Sequence, residues 1–343
     1  TIAFAGSTAS NQFLGGGTYT SLSCAGFTSG TLTIGNGSFT FTGNVTLNAP
    51  SGATTAAYIL GSDLTINGTF DPHGASSTNR NYIRSDVKGT PRTINAATMG
   101  TLNNVDFEDI TAAGTANWNG SANIVGDCTG NSGITFTSAA NQYWVPSGGT
   151  SSGSEAAITR WAGSSGGTAG TGRVPLPQDT AIFDSSSIDA GSRTITQNIL
   201  RMCAHNWTAV TNTPTWSKSA NAKFYSTIIM PSSGMNNIGT GIYTYAGEKF
   251  SNLDISGIPF TNRITIYCTS LGILVIPAGS TDILSGALTV STGTLSILGT
   301  LILTGGAAFS GGNIGLGPSG KFEPNTASGT VIKGTGYSYT FGG

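Results

Sequence analysis

A short phrase recurs along the chain: an apolar residue, a threonine or serine, a second apolar residue, then glycine or asparagine close by. It reads Leu32-Thr-Ile34, Phe39-Thr-Phe41, Val45-Thr-Leu47 and Leu64-Thr-Ile66 in the first half. It returns as Leu288-Thr-Val290, Leu295-Ser-Ile297 and Leu301-Ile-Leu303 near the end. Apolar residues two apart share one face of an extended strand, so each phrase predicts a short strand buried on one side only. Within a cluster the phrases start six or seven residues apart: 32, 39, 45, then 288, 295, 301. Helical spacing is not sustained over two turns, and short helices are expected at most over Ala96 to Gly100 and Ile199 to His205.

Two architectures accommodate such strands. In a meander or sandwich they pair antiparallel through hairpins, for which Gly-Asn-Gly at 35 to 37 is suitable turn chemistry. In a solenoid each strand is one side of a coil and stacks in parallel on its equivalent in the next coil. Three sides of six or seven residues make a coil of roughly 20, within the usual range of repeat lengths. The expected fold is all-β, a β-solenoid of the parallel β-helix type with a loop-rich middle; β-sandwich modules are the alternative. A Gly- and Ser-rich stretch divides the chain into an N-terminal solenoid module at 1–145, a junction at 146–176 and a C-terminal β-rich module at 177–343.

Composition sharpens this picture. Charged residues make up 8% of the 343, against about 25% in ordinary soluble domains, and 51 residues are glycine. Glu, Lys, Arg and Leu, on which helices depend, are scarce. A net charge of −1 leaves no basic footprint for nucleic acid and no attraction to an anionic membrane. The most apolar window, Leu271 to Ile276, is broken by Pro277, Gly279 and Asp282, so no membrane-inserting helix is expected. Four cysteines, Cys24, Cys128, Cys203 and Cys268, lie too far apart for a zinc motif and read as isolated buried thiols, with a long-range disulfide as the alternative. Sequons begin at Asn36, Asn44, Asn67, Asn119 and Asn206, as chance provides in a chain rich in Asn, Ser and Thr.

The middle of the chain carries a resemblance. Tyr143-Trp144-Val145 with Gly148-Gly149, then Trp161, a glycine-rich run, and Val174-Pro-Leu-Pro-Gln-Asp179-Thr-Ala-Ile-Phe183-Asp184 resemble a module of tail-fibre-like and other virion-associated proteins of tailed phages. The segment from Leu102 to Ile110, leading to Trp118, is similar to the phrase that closes the preceding coil stack in such proteins. The resemblance covers roughly residues 100 to 200. It implies a structural virion protein on the particle surface, a tail fibre, tailspike or similar appendage that adheres to the host. It also implies a homotrimer in contact with other virion proteins and with host-surface glycan. Alternatives are a glycan-depolymerising tailspike or polysaccharide lyase, a secreted bacterial adhesin, and a capsid decoration protein.

Candidate chemistry is sparse. Asp106, Glu108 and Asp109 lie in a strand-like context, where carboxylates two apart share a face and suit glycoside hydrolysis or Ca²⁺; a solvated strand face is the simpler reading. Asp179 and Asp184 read as turn residues, or as ligands of a cation that would need further oxygens. Arg80, Arg84, Lys88 and Arg92 form the one basic cluster, expected in a loop that is solvated or contacts a sister subunit or anionic sugar. Trp118, Trp144, Trp161, Trp207 and Trp216, with Tyr225, Tyr243 and Tyr245, crowd the loop-rich middle; core packing is expected to claim most of them, and two or more are candidates for a glycan groove or subunit interface. His73 and His205 show no metal-like spacing. No nucleophile elbow, phosphate loop or dinucleotide fingerprint is present, so nucleophilic and cofactor catalysis lack support.

Overall fold

The computed structural model describes residues 1–5, 12–27, 30–35, 37–47, 56–218, 220–255, 258, 260–269, 271–303, 307–309, 311–324 and 339–341. Within them the chain is strand and turn, with one 3₁₀ turn at Ile158–Arg160 and no α-helix. No helix among the described residues is long and apolar enough to cross a membrane. Two compact units form, Thr1–Ser138 and Ala139–Gly343. The division falls shortly before the expected boundary at 145. The Gly- and Ser-rich stretch 146–176 belongs to the second unit, where it supplies the strands Gly153–Ser154 and Trp161–Ala162.

Each unit is a parallel β-solenoid. In the first, Leu32, Tyr58, Ile83 and Phe107 are successive register partners in a six-stranded sheet, each one coil on from the last. An eight-stranded sheet forms a second face of the same coils. In the second unit Met202, Phe224, Tyr245, Ile266 and Val290 stack in the same way, coil upon coil, and all are fully buried. Its strands make sheets of ten, four, six and three. Among the described residues every strand pair is parallel except Asn141–Trp144 with Trp161–Ala162. Parallel pairing between strands a full coil apart in sequence excludes the sandwich alternative. The phrases that suggested hairpins instead turn corners: Gly30–Ile34 and Phe39–Phe41 belong to different sheets. Asn36, in the expected hairpin turn and the first sequon, lies outside the described residues.

The recurring phrases are strands with the expected alternation, buried at the apolar positions and half-buried at the Thr or Ser between them. Ala96 lies inside the strand Arg92–Met99, and Ile199 to His205 contains the strands Arg201–Met202 and Ala204–Asn206, so neither expected helix forms. In both places parallel pairing to neighbouring coils supplies hydrogen bonds that a helix of one turn cannot match.

Close stacking leaves no room for side chains at certain corners. At Gly239 the backbone is left-handed, with φ at +144°, and a Cβ would lie 1.9 Å from the Lys218 carbonyl oxygen. Gly239→Ala is expected to lower unfolding stability by about 2–4 kcal/mol through steric overlap and backbone strain. Gly315, around which an added Cβ meets nothing within 4 Å, should tolerate alanine to within about 0.5 kcal/mol. Denaturant midpoints of the two variants test this directly.

Candidate functional site

The acidic and basic residues singled out in the first unit come together. On the strand Val105–Glu108, Val105 and Phe107 face the core, which places Asp106 and Glu108 side by side on the opposite face, as their spacing predicts. That face is covered rather than solvated: Asp106, Glu108 and Asp109 are all buried, with at most 2% exposure. Arg80 Nε donates to Asp106 Oδ1 at 2.8 Å and its Nη1 donates to the Ser77 carbonyl at 2.7 Å. Tyr82, one coil earlier and in register with Asp106, donates its hydroxyl to Glu108. Lys88 Nζ lies 3.4 Å from both Glu108 and Asp109 and donates to Thr129 Oγ1 at 3.0 Å.

Arg92 pairs with Asp86 at 2.7 Å, while Arg84 donates to the Ser85 carbonyl. Two of the four basic residues, Arg80 and Lys88, are therefore the counter-charges of the acidic cluster, whereas Arg84 and Arg92 are engaged elsewhere. Carboxylates enclosed in this way have no face open to a glycosidic oxygen. His73 lies apart from them, 2.6 Å from Asp71.

Asp179 and Asp184 hold turns in the second unit. Asp179 is 2% exposed, accepts from the Ala140 and Leu176 backbone amides, and forms a bidentate pair with Arg173. Asp184 accepts from the Ser186 amide at 2.9 Å as an Asx turn. No group of three or more His, Cys, Asp or Glu among the described residues is placed to hold a metal. All four cysteines are free and buried, and burial pushes the Cys24 thiol up to about 12.

The tryptophans lie in the core, all five of them. Trp144, Trp161, Trp207 and Trp216 are fully buried and Trp118 is 7% exposed, so none offers a ring face to a sugar. Tyr225, Tyr243 and Tyr245 are buried as well. Trp144 and Trp161 meet edge to face at 5.3 Å, Phe183 packs on both, and Phe183 stacks flat on Trp207 at 3.5 Å. Their indole groups satisfy local backbone: Trp144 donates to the Ser151 carbonyl and Trp161 to the Glu155 carbonyl. Indoles fill the first coils of the second unit, where the loop-rich sequence supplies few aliphatic side chains. Trp144, Trp161 and Phe183 of the resembling stretch thus pack together, while Leu102 to Ile110 and Trp118 belong to the first unit.

Beside that aromatic packing lies a buried polar row that no sequence motif announced. Glu155 Oε1 accepts from Trp216 Nε1 at 2.7 Å, and Oε2 lies 3.1 Å from His205 Nε2, with both charged side chains wholly buried. His205 Nδ1 donates to the Cys203 carbonyl at 3.1 Å. Burial pulls the imidazole pKa down, but the Glu155 carboxylate and Cys203 outweigh it and raise the value to about 10, so the ring is an imidazolium. Gln197 is one coil before Lys218 in register and accepts from Tyr243 at 2.7 Å.

Lys218 Nζ is buried without a hydrogen-bond acceptor, 3.6 Å from the Phe260 ring centre and 4.7 Å from that of Trp216. Burial lowers its pKa well below the lysine norm, against the opposing pull of Glu155. Asp282 is also enclosed; it accepts from the Ile255 amide at 3.2 Å, and burial raises its pKa to about 8. One sequence signal was available: in Thr194-Ile-Thr-Gln197 and Thr215-Trp-Ser-Lys218, Gln and Lys occupy the slot where the alternation calls for an apolar residue. No protein-family model, curated protein or solved structure matches the chain.

Glu155→Gln removes the carboxylate that holds the proton on buried His205, so the ring turns neutral and the pair is lost, at an expected cost of about 3–5 kcal/mol. The double variant Glu155→Gln/His205→Gln should recover part of that loss, and a double-mutant cycle by chemical unfolding measures the coupling. Asp282 has a native pKa of about 8 and an ordinary value of 3.8, so between them the folded chain holds a proton that the unfolded chain has released. Its contribution is intact below about pH 4 and declines as pH rises through about 8, by at most about 1.4 kcal/mol per pH unit. Asp282→Asn should flatten that part of the stability-against-pH curve.

Proposed function

We propose that the chain is a structural rod of a tailed-phage virion, a tail fibre, tailspike or similar surface appendage, which adheres to the host surface and self-associates. The observation that carries this reading is the burial of Asp106, Glu108, Asp109 and Asp179 and of all five candidate tryptophans. The carboxylates of the first unit are enclosed by their own cations, and the tryptophans are core. What remains outside is a ladder of Thr, Ser and Asn with loops at the corners, which suits a load-bearing stalk.

The packing of Trp144, Trp161 and Phe183 gives three residues of the phage resemblance one shared structural role, which supports it. A trimer, neighbouring virion proteins and a host glycan as receptor follow from the resemblance alone.

Antibody labelling of particles in electron micrographs should mark a tail appendage; labelling of the capsid shell, or of no particle, would overturn the reading. Incubation with host lipopolysaccharide or capsule should release no oligosaccharide. Release that disappears in Asp106→Asn or Glu108→Gln would transfer the chain to the depolymerases.

A further inference from the structure

We propose that Lys218 and Asn237 join covalently: Lys218 Nζ displaces ammonia from the Asn237 side-chain amide, and the resulting intramolecular amide staples two successive coils of the second unit. Both residues belong to its four-stranded sheet, on the strands Thr215–Lys218 and Asn236–Gly239. Trp216 pairs with Asn237 and Lys218 with Gly239 in parallel register. Trp216, Lys218 and Asn237 therefore all turn inward, while Ile238 stands outside at 50% exposure. Lys218 and Asn237 thus fill slots where the alternation calls for an apolar side chain.

Amine and amide meet at one level of the stack. Nζ lies 4.7 Å from the ring centre of Trp216, in the coil before Asn237, and 3.6 Å from that of Phe260, in the coil after it. Tyr243, from the same coil as Asn237, has its ring centre 5.6 Å away. The lysine stem therefore climbs one coil, to the height at which Asn237 projects. With about 4.8 Å between strands and about 6.6 Å along two residues, the two Cα atoms are about 8 Å apart, a diagonal that a long side chain and a short one bridge together.

Neither group has another use. Nζ, and both Oδ1 and Nδ2 of Asn237, are buried without a hydrogen-bond partner among the described residues. Native interiors rarely leave such groups unsatisfied, and a secondary amide has fewer N–H groups to satisfy than an amine and a primary amide. Asn262, a second buried amide near Phe260, is anchored instead: its Nδ2 donates to the Lys218 carbonyl at 3.2 Å and to the Gly241 carbonyl at 2.8 Å.

The reaction balances within the chain. The Nζ lone pair forms the bond to Cγ, and the carbonyl π pair moves onto Oδ1. One Nζ proton passes to Nδ2; Glu155, hydrogen-bonded to Trp216 in the same interior, is the carboxylate available to relay it. The Oδ1 pair then re-forms the carbonyl, the Cγ–Nδ2 bond breaks, and ammonia leaves. An attacking amine has to be neutral, and burial lowers the Lys218 pKa well below the lysine norm. Holding both groups in one folded interior makes the step unimolecular, and the enclosing rings keep water from the adduct.

Mass spectrometry of the purified full chain should show a mass below that of the sequence by one ammonia. After unfolding, trypsin should not cut behind Lys218, and peptide 202–223 should travel joined to peptide 224–249. Asn237→Ala should abolish both the deficit and the joined pair. A parent chain at its full sequence mass would overturn the proposal. So would a deficit without joined peptides, as a succinimide at an asparagine gives, or peptide 202–223 joined to 250–263, which carries Asn262. The parent chain alone decides these outcomes, whether or not the variant folds. The bond and the virion role are independent, and the mass spectrum bears on the bond alone.

Discussion

Everything in this protein depends on parallel, in-register stacking of very short strands. Each strand is too short to be stable alone, because an isolated two-stranded pair is marginal in water. It persists because the next coil presents the same phrase again and completes the ladder. The constraint explains the composition. A charge at an inward position would sit directly above the same position of its neighbour, whereas Thr, Ser and Asn outside and Leu, Ile, Val and Phe inside can be repeated at every level. It also explains the corners. Gly239 closes on the Lys218 carbonyl and Gly320 on the Ile297 carbonyl, each within 2.0 Å of where a Cβ would fall.

How much of this was legible depends on strand length. The Leu-Thr-Ile phrases declared their inward faces because apolar, polar, apolar is enough to show alternation, and they became strands with that alternation. Pairing direction was not in the phrase itself. It lies in the spacing of coils, which distinguishes a stack from a hairpin only once equivalent strands are aligned. Two-residue strands such as Arg201–Met202 and Ile228–Ile229 are too short to display a period, so Ile199 to His205 could be taken for helix.

Which tryptophans would be core was hard to read for a related reason. Gly and Ser around Trp144 and Trp161 suggest surface loop, yet sparse packing is what makes an indole necessary there. Glu155, in the same stretch, reaches His205 only because Gly153–Ser154 pairs with Thr194–Gln197, far along the chain. The acidic strand was legible in its geometry and illegible in its role. Its spacing put two carboxylates on one face, but nothing local revealed that Arg80 and Lys88 would close over them.

The two units treat their few charges oppositely. In the first, Arg80, Lys88 and the three carboxylates gather outside the core strand, beneath covering chain. In the second, Glu155, His205, Lys218 and Asp282 point into the core itself. Both arrangements desolvate ions, and neither adds much stability, since a buried pair roughly offsets its own desolvation. What they contribute is register. A slip of one residue would turn every side chain of a strand to the opposite face. Apolar rows alone resist that weakly when the outer residues are threonines, which burial tolerates. A slip that tore Glu155 from His205 and Trp216, or Asp106 from Arg80, would leave an ion buried without its partner. Such pinning matters because solenoid coils interact mainly with their neighbours, so stability accumulates coil by coil and no distant contact corrects a local error. It also sets where function can reside. Interior residues are fixed by the coils above and below, and a change there propagates along the stack. Loops at the corners, such as 184–193 and 208–214, are joined to each other by few bonds, among them Asn212 to the Ile188 carbonyl. Even there Ile188 packs in the core and Asp189 accepts from the Ser151 amide, so only the exposed residues of these loops can vary without disturbing the ladder beneath. A scaffold of this kind separates mechanical continuity, held in its core, from recognition, which only its outer surface can carry.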